Sequence, residues 1–222
     1  MLSCVDLTKT YRSDRGEIEA VKGIDIEVEP GEFASIVGRS GSCKSSFLAM
    51  IGGLSRPSRG AVRIEDTGIW SLNDDRLAKF RNRRIGFVYQ FAGLLPTLRI
   101  IDNVALPALL HRAQDAADAY QNAADSLAQF GLSEHLDAYP AEISAGEQGR
   151  AVIARALINS PALLLADEPT SDLDEETERQ IMDQFRALNR ARGLTLLMVT
   201  HNLRLAQQTD KVIHIADGRL AS

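Results

Sequence analysis

The stretch Phe33-Ala34-Ser35-Ile36-Val37, followed by Gly38-Arg39-Ser40-Gly41-Ser42-Cys43-Lys44-Ser45-Ser46, decides the fold class of this chain. Its first five residues form a short apolar run typical of a buried strand, and residues 47–54 look helical. A strand, a loop of small residues and a helix make up the usual phosphate-binding arrangement, because backbone N–H groups at a helix N-terminus attract an anion. The alternative is a tight strand-to-helix turn without a ligand.

The loop almost matches the phosphate-binding pattern G-x-x-x-x-G-K-[ST], in which the lysine reaches phosphate oxygens and the hydroxyl ligates magnesium. Gly38, Gly41, Lys44 and Ser45 fit this arrangement, whereas Cys43 replaces the second required glycine. If that position needs a left-handed backbone, the β-carbon of Cys43 adds strain of about 1–3 kcal/mol.

The composition is that of an ordinary globular protein with one main core. The chain has 222 residues, 45% of them hydrophobic, and 25 basic against 30 acidic side chains give a net charge of −5. This mild acidity gives no reason to expect a nucleic-acid partner. Two cysteines are too few for a disulfide framework and favour a reducing compartment. We expect no signal peptide or membrane span, because the apolar runs of about five residues fall far below the roughly 20 that a bilayer requires.

The hydrophobic pattern predicts alternating strands and helices, hence an α/β fold with a mainly parallel core sheet. Residues 13–17 predict a loop or hairpin end between the first two strands. The predicted strands are 2–7, 24–28, 33–37, 163–166, 194–200 and 211–216, and the predicted helices are 74–83, 103–111, 116–130, 145–159 and 175–192.

Two carboxylates follow the apolar strand Leu163-Leu164-Leu165-Ala166. This position places Asp167 at the carboxyl end of the strand, where open α/β sheets bind ligands. Asp167 would then hold Mg²⁺ through water, and Glu168 would polarise an attacking water. The alternative is that both carboxylates only cap the turn before Pro169.

A further helix start lies at Ile143-Ser144-Ala145-Gly146-Glu147-Gln148. Small residues at a helix N-terminus present N–H groups and the positive end of the helix dipole to an anion. The same residues also fit the capping box S-x-x-E, with Ser144 and Glu147 three positions apart. The two interpretations are compatible.

Taken together, these motifs resemble those of the nucleotide-binding subunits of ABC transporters over essentially the full chain. In order, the similar segments are the Walker A loop at 38–46, the Q-loop glutamine Gln90, the signature motif at 144–148, Walker B at 163–168, the D-loop at 171–174 and the H-loop at 200–202. Tyr11 resembles the aromatic residue that stacks on adenine.

The resemblance implies a P-loop NTPase fold with a three-layer core, an N-terminal antiparallel β subdomain and a helical signature subdomain. It also implies a single ATPase domain, with the core and β subdomain in about 1–90 and 160–222 and the helical subdomain in about 91–159.

In this family two such chains pair head to tail around two ATP molecules and Mg²⁺, so an isolated protomer holds only part of the site. One chain would bind a nucleotide through Tyr11, Gly38, Ser40, Gly41, Ser42, Cys43, Lys44, Ser45 and Ser46. The second chain would close over the γ-phosphate with Ser144, Gly146 and Glu147, and Asp174 would lie at the seam. Glu168 would be the catalytic base, assisted by Lys44 and His201, and the metal would be held by Ser45, Gln90 and Asp167.

Residues 11–21, 94–98 and 103–107 are similar to those of the lipoprotein-release and macrolide-export ATPases. This similarity implies a permease partner, a homodimer and a peripheral place on the cytoplasmic face of the bacterial inner membrane.

Three departures from the family pattern leave alternatives open. Ala145 replaces a common glycine, with a small expected effect, and Gly149 replaces a longer polar residue and weakens the helix by about 1 kcal/mol. Cys43 either weakens the phosphate site or allows its control by thiol oxidation, since a thiol beside Lys44 at a helix N-terminus is reactive. The alternative function is therefore a regulatory module that dimerises on ATP but hydrolyses it poorly. A soluble ABC protein of translation or DNA repair would need paired domains or large insertions.

Overall fold

The computed structural model describes residues 1–13, 16–39, 41–89, 93–110, 115–171 and 173–221. They form two compact units, Met1–Arg81 with Arg186–Ser222, and Asn82–Phe185. Ser40 and Gln90, both predicted site residues, lie outside the described residues. The predicted division into core and helical subdomains remains a prediction.

The secondary structure alternates as the sequence predicts. The strands of the described residues are β1 (Leu2–Ser13), β2 (Gly16–Val28), β3 (Phe33–Val37), β4 (Arg59–Ile64), β5 (Thr67–Gly68), β6 (Ile85–Val88), β7 (Leu163–Asp167), β8 (Thr195–Thr200), β9 (Lys211–Ala216) and β10 (Arg219–Leu220). The α-helices are α1 (Lys44–Ile51), α2 (Asp74–Arg84), α3 (Ile100–Leu110), α4 (Ala116–Gln129), α5 (Ala145–Leu157), α6 (Glu175–Arg192) and α7 (Leu203–Ala206). The helices contain no segment, among the residues described, that is long and apolar enough to cross a bilayer.

The first unit contains an antiparallel sheet in the order β2-β1-β4-β5. It also contains the parallel strands β9-β3-β8, with β10 antiparallel on β9. All five residues of β3 are buried, as expected for a central parallel strand. The register pairs Val37 with Thr200 and with His214. The phosphate loop after β3 and His201 after β8 therefore leave the same edge of the sheet.

The second unit combines the parallel pair β6 and β7 with the helices α3, α4 and α5, which pack against one another. Val88 lies opposite Ala166, so residue 89, which follows β6, and Asp167, which ends β7, lie at the same end of the pair. In α4, the buried residues Ala119, Ala123 and Leu127 recur every four positions and form its inner face.

Several predicted boundaries differ from the structure for local reasons. β1 extends to Ser13 because its outer half pairs with β2 up to the contact between Ser13 and Gly16, which confirms the predicted hairpin end. α3 begins at Ile100 rather than at residue 103, because the N–H groups of Ile100 and Ile101 donate to the carbonyls of Ala138 and Leu136. The sequence pattern missed β4, β5 and β6, which are short or mostly exposed.

The segment before α3 is held by Asn103, whose side chain is fully buried. Its Oδ1 accepts the N–H of Leu95 at 2.7 Å. Its Nδ2 donates to the carbonyls of Leu95, Leu98 and Arg99, each at 3.1 Å. One side chain thereby satisfies both polar groups of Leu95 and closes the turn that leads into α3.

We expect Asn103→Ala to lower the free energy of unfolding by about 2–3 kcal/mol, because it removes several hydrogen bonds made by a fully buried side chain. The exposed Asn73, whose Oδ1 accepts the N–H of Arg76 at 2.9 Å, provides the control. Asn73→Ala should cost about 1 kcal/mol as a lost helix cap. Urea denaturation measures both values, and equal losses would contradict the proposed role of burial.

Candidate functional site

The phosphate loop can turn sharply at Gly38 because glycine has no side chain, and the neighbouring atoms leave no room for one. A β-carbon at Gly38 would lie 2.1 Å from the carbonyl oxygen of Ile215 and 2.7 Å from Ser42 Oγ. Ser42 is buried, and its hydroxyl has no hydrogen-bond partner among the described residues. The first turn of α1 carries no acidic side chain, and its N–H groups lack intrahelical acceptors. This loop therefore has the features of an anion site.

Lys44 places its ammonium group inside this loop. The side chain is buried, and Nζ donates to the carbonyl oxygens of Gly38 at 2.8 Å and Arg39 at 3.1 Å. A buried cation needs such partners to offset its desolvation. The two carbonyls hold the charge where a phosphate bound by the loop would meet it.

Cys43 has a left-handed backbone, the conformation in which a β-carbon adds strain. Its φ is 65° and its ψ is 21°, directly before the first residue of α1. Its thiol is half-buried and donates to the carbonyl of Gly41 at 3.5 Å. This weak contact does not remove the cost of a β-carbon in this conformation, about 1–2 kcal/mol.

Tyr11 lies beside the loop with an exposed ring. Its hydroxyl donates to Ser46 Oγ at 3.0 Å, which joins β1 to the first helical turn after the loop. Lys9 Nζ lies 5.2 Å from the ring centroid. With 44% of the residue exposed, the ring offers a surface on which a flat aromatic group can stack.

His201 and Ser45 complete the predicted set in the first unit. His201 is exposed and follows β8, where the N–H of Asn202 donates to Thr200 Oγ1 at 3.0 Å. Asn202 also caps α7 by accepting the N–H of Arg204 at 3.0 Å. Ser45 is exposed in the first turn of α1, so its hydroxyl oxygen is available to a ligand.

In the second unit the two predicted carboxylates lie at the end of β7. The strand includes Asp167, one residue beyond its predicted end, and both Asp167 and Glu168 are half-buried. Glu168 has a φ of 46°, and its carbonyl accepts the N–H of Ser171 at 3.3 Å. A non-glycine residue in this region stores backbone strain, which is common at functional sites.

The hydroxyl and carboxylate at the start of α5 form the predicted capping box. Ser144 Oγ accepts the N–H of Glu147 at 3.3 Å, while Glu147 Oε2 accepts the N–H and the hydroxyl of Ser144, each at 2.8 Å. The backbone hydrogen bond from Ser144 lowers the pKa of Glu147 below its ordinary value, helped by the Ser144 hydroxyl. Ser144 and Ala145 remain exposed at the helix N-terminus, so the capping role leaves this end open to an anion.

Sequence reasoning missed the role of His135, whose Nε2 lies 3.2 Å from Glu147 Oε1. The pairing joins a short 3₁₀ turn to α5 across eleven intervening positions. Because no local motif connects the two residues, only the fold reveals this contact.

Asp174 caps α6 with both of its carboxylate oxygens. Oδ1 accepts the N–H of Thr177 at 2.9 Å, and Oδ2 accepts its hydroxyl at 2.8 Å. The backbone hydrogen bond from Thr177 lowers the pKa of Asp174. Thr177 was also missed, although the three-residue spacing from Asp174 is a signal for a helix cap.

Two of the predicted metal ligands, Ser45 and Asp167, are residues whose oxygen atoms suit Mg²⁺. Ser45 belongs to the first unit and Asp167 to the second, and both offer hard oxygen atoms. Within the ranges that the structure describes, no group of three or more His, Cys, Asp or Glu side chains forms a metal site. The residues fit an ion that keeps several waters and phosphate oxygens as ligands.

We expect Cys43→Gly to raise the free energy of unfolding by about 0.5–1 kcal/mol. Glycine relieves the left-handed strain but gains freedom in the unfolded chain. Cys43→Ala is the control, because it removes the thiol and keeps the β-carbon. It should stay within about 0.5 kcal/mol of the parent by denaturant titration, and an alanine variant as stable as the glycine variant would contradict the backbone explanation.

We also expect Gly149→Ala to raise the free energy of unfolding, by about 0.5–1 kcal/mol, because alanine favours the helix interior. A β-carbon there would lie 3.6 Å from Ile181 Cδ1, an ordinary contact. At Gly146 the corresponding distance to Thr177 Cγ2 is 3.0 Å. Gly146→Ala should therefore gain less or lose stability, and equal gains for both variants in thermal unfolding would contradict this packing.

Comparison with known proteins places these features in one family. The ABC transporter family model matches residues 21–171. The lipoprotein-releasing system ATP-binding protein LolD of Geobacter metallireducens is 42% identical over 222 residues, which are 100% of this chain and 98% of that protein. The macrolide export ATP-binding/permease protein MacB of Syntrophobacter fumaroxidans is 39% identical over 220 residues, which are 98% of this chain and 31% of that protein.

The fold of this chain matches that of a solved structure over its whole length. The dimeric post-hydrolysis state of the ATP-binding cassette MJ0796, bound to ADP and phosphate, is 36% identical and superposes with a TM-score of 0.92. The match covers 100% of this chain and 97% of that chain, which confirms the predicted P-loop NTPase fold. The chain therefore belongs to the ABC transporter family, within which it is an ATP-binding and ATP-hydrolysing subunit.

Proposed function

We propose that this chain hydrolyses ATP to drive an inner-membrane permease of the lipoprotein-release type. The observation that carries the proposal is the position of the Lys44 ammonium inside a loop that leads into the N-terminus of α1, whose first turn carries no acidic side chain. The similarity to LolD supports lipoprotein release as the transported class. The chain works at the cytoplasmic face of the inner membrane, bound peripherally through the permease.

The first unit binds the nucleotide. Tyr11 stacks on the base, and the N–H groups of the loop with the ammonium of Lys44 hold the phosphates. Ser42, Cys43 and Ser46 contribute backbone or hydroxyl groups beside them, and His201 reaches the terminal phosphate from the end of β8. Gly38, Ser40 and Gly41 let the loop approach the phosphates closely.

Magnesium, when bound, neutralises charge that develops on the phosphate oxygens. Ser45 and Asp167 supply oxygen donors for it, with Gln90 as the third proposed ligand. Glu168 orients the attacking water and accepts its proton, a role that suits a half-buried carboxylate at a strand end.

The second copy of the chain completes each site. The exposed helix start at Ser144, with Gly146 and Glu147 behind it, presents N–H groups and a hydroxyl to the terminal phosphate held by the other protomer. Asp174, exposed at the start of α6, contributes to the seam. ATP then joins the two copies, and its hydrolysis separates them and moves the permease.

The regulatory alternative with poor hydrolysis is not favoured. The backbone of Cys43 already has the left-handed conformation that the loop needs, so the cysteine has not displaced the turn. Lys44, Asp167, Glu168 and His201 are all present. The expected cost at Cys43 is a small loss of stability rather than a missing catalytic group.

We expect Glu168→Gln to slow phosphate release by about 10²–10⁴-fold, because the amide cannot accept the proton of the water. ATP binding should remain, and ATP should accumulate a dimer of the variant in analytical ultracentrifugation. Glu175→Gln is the matched control, since Glu175 is an exposed carboxylate in the first turn of α6. Parental phosphate release by the Glu168→Gln variant would overturn the proposed function.

A further inference from the structure

Thr177 binds Asp174 through two separate groups. Its backbone N–H and its hydroxyl each bind one carboxylate oxygen, at 2.9 Å and 2.8 Å. Asp174 is exposed, so in the absence of these bonds its side chain would sample several rotamers. The pair of bonds holds the carboxylate in one orientation at the start of α6.

The methyl group of the same threonine lies against the first turn of α5. A β-carbon at Gly146 would lie 3.0 Å from Thr177 Cγ2 and 3.6 Å from Thr177 Oγ1. Gly146 follows Ser144 by two positions, in the first turn of α5, where the first N–H groups lack intrahelical acceptors. One further turn along each helix, the position of Gly149 lies against Ile181. Side chains of α6 therefore lie against the backbone of α5 at the end that carries Ser144 and Asp174.

We propose that Thr177 is a positioning residue that joins Asp174 and the signature turn of α5 into one rigid surface for the second protomer. The inference rests on the proposed pairing of two copies and extends it to a residue outside the recognised motifs. The hydroxyl of Thr177 fixes the carboxylate of Asp174, and its methyl group packs against the first turn of α5, which meets the phosphate of the second protomer's nucleotide in the proposed dimer.

The physical gain is preorganisation. Two exposed segments that are already fixed relative to each other lose less conformational entropy on association than two independent ones. The benefit arises when the copies pair, whereas nucleotide binding to one protomer uses the loop of the first unit. A change at Thr177 should therefore alter pairing and leave the first binding step intact.

Two variants separate the two halves of this role. Thr177→Val keeps the methyl contact with Gly146 and loses the hydroxyl bond to Asp174, whereas Thr177→Ser does the reverse. In the full-length Glu168→Gln chain, we expect each to raise the ATP concentration for half-maximal dimerisation by about three- to tenfold. With Glu168 restored, KM for ATP should rise by a similar factor, while kcat at saturating ATP changes by less than about twofold.

The controls distinguish this role from a general loss of structure. Thr209 donates its hydroxyl to the carbonyls of Ala206 and Lys211 in the first unit, so Thr209→Val and Thr209→Ser remove the same atoms elsewhere. These variants should dimerise at the parental ATP concentration. ATP binding to the Thr177 variants, measured at protein concentrations too low for pairing, should also match the parent.

Three results would contradict the role proposed for Thr177. Parental dimerisation and KM in both Thr177 variants would overturn it, and so would weaker ATP binding by the isolated protomer or equal effects at Thr209. If the Glu168→Gln chain with Thr177 intact does not dimerise with ATP, the proposed function fails first.

Discussion

The rest of the structure depends on the close approach of Gly38 to the carbonyl of Ile215. Only a residue without a side chain fits at this distance. Glycine therefore allows the chain to leave β3 beside β9 and to turn at once into the phosphate loop. The parallel register then brings the loop and His201 to one edge of the sheet. The burial of Lys44 follows, since its ammonium finds the carbonyls of Gly38 and Arg39 only in this tight turn.

The second unit uses helix caps to hold functional groups. At α5, Ser144 Oγ accepts the N–H of Glu147, and Glu147 Oε2 accepts the N–H of Ser144. His135 Nε2 pairs with the other carboxylate oxygen, Oε1. At α6, Asp174 takes both donors of Thr177. Capping residues are polar and lie at helix N-termini, so they already stand where anions bind. The same side chains can therefore stabilise a helix and present it to a phosphate.

Local signals predicted much of this arrangement from the sequence. The buried run of β3, the capping spacing at Ser144 and the apolar run before Asp167 each carry their information within a few residues. Asn103 and His135 could not be predicted in this way, because no local motif connects them with their partners. Asn103 closes an irregular turn with Leu95 and Leu98, and His135 reaches Glu147 across eleven intervening positions. The start of α3 was missed for the same reason, since the carbonyls that accept its first N–H groups belong to Leu136 and Ala138.

Cys43 shows how the fold limits the effect of an unfavourable residue. The residue before α1 has a left-handed backbone, and the surrounding structure holds Cys43 in that conformation although it carries a β-carbon. The cost, about 1–2 kcal/mol, is small beside the total stability of a domain, about 5–15 kcal/mol. Glu168 also has a positive φ, at the end of β7. Glu168 lies directly after β7, and Cys43 lies where the phosphate loop enters α1, so both strained residues accompany sharp turns beside proposed site residues.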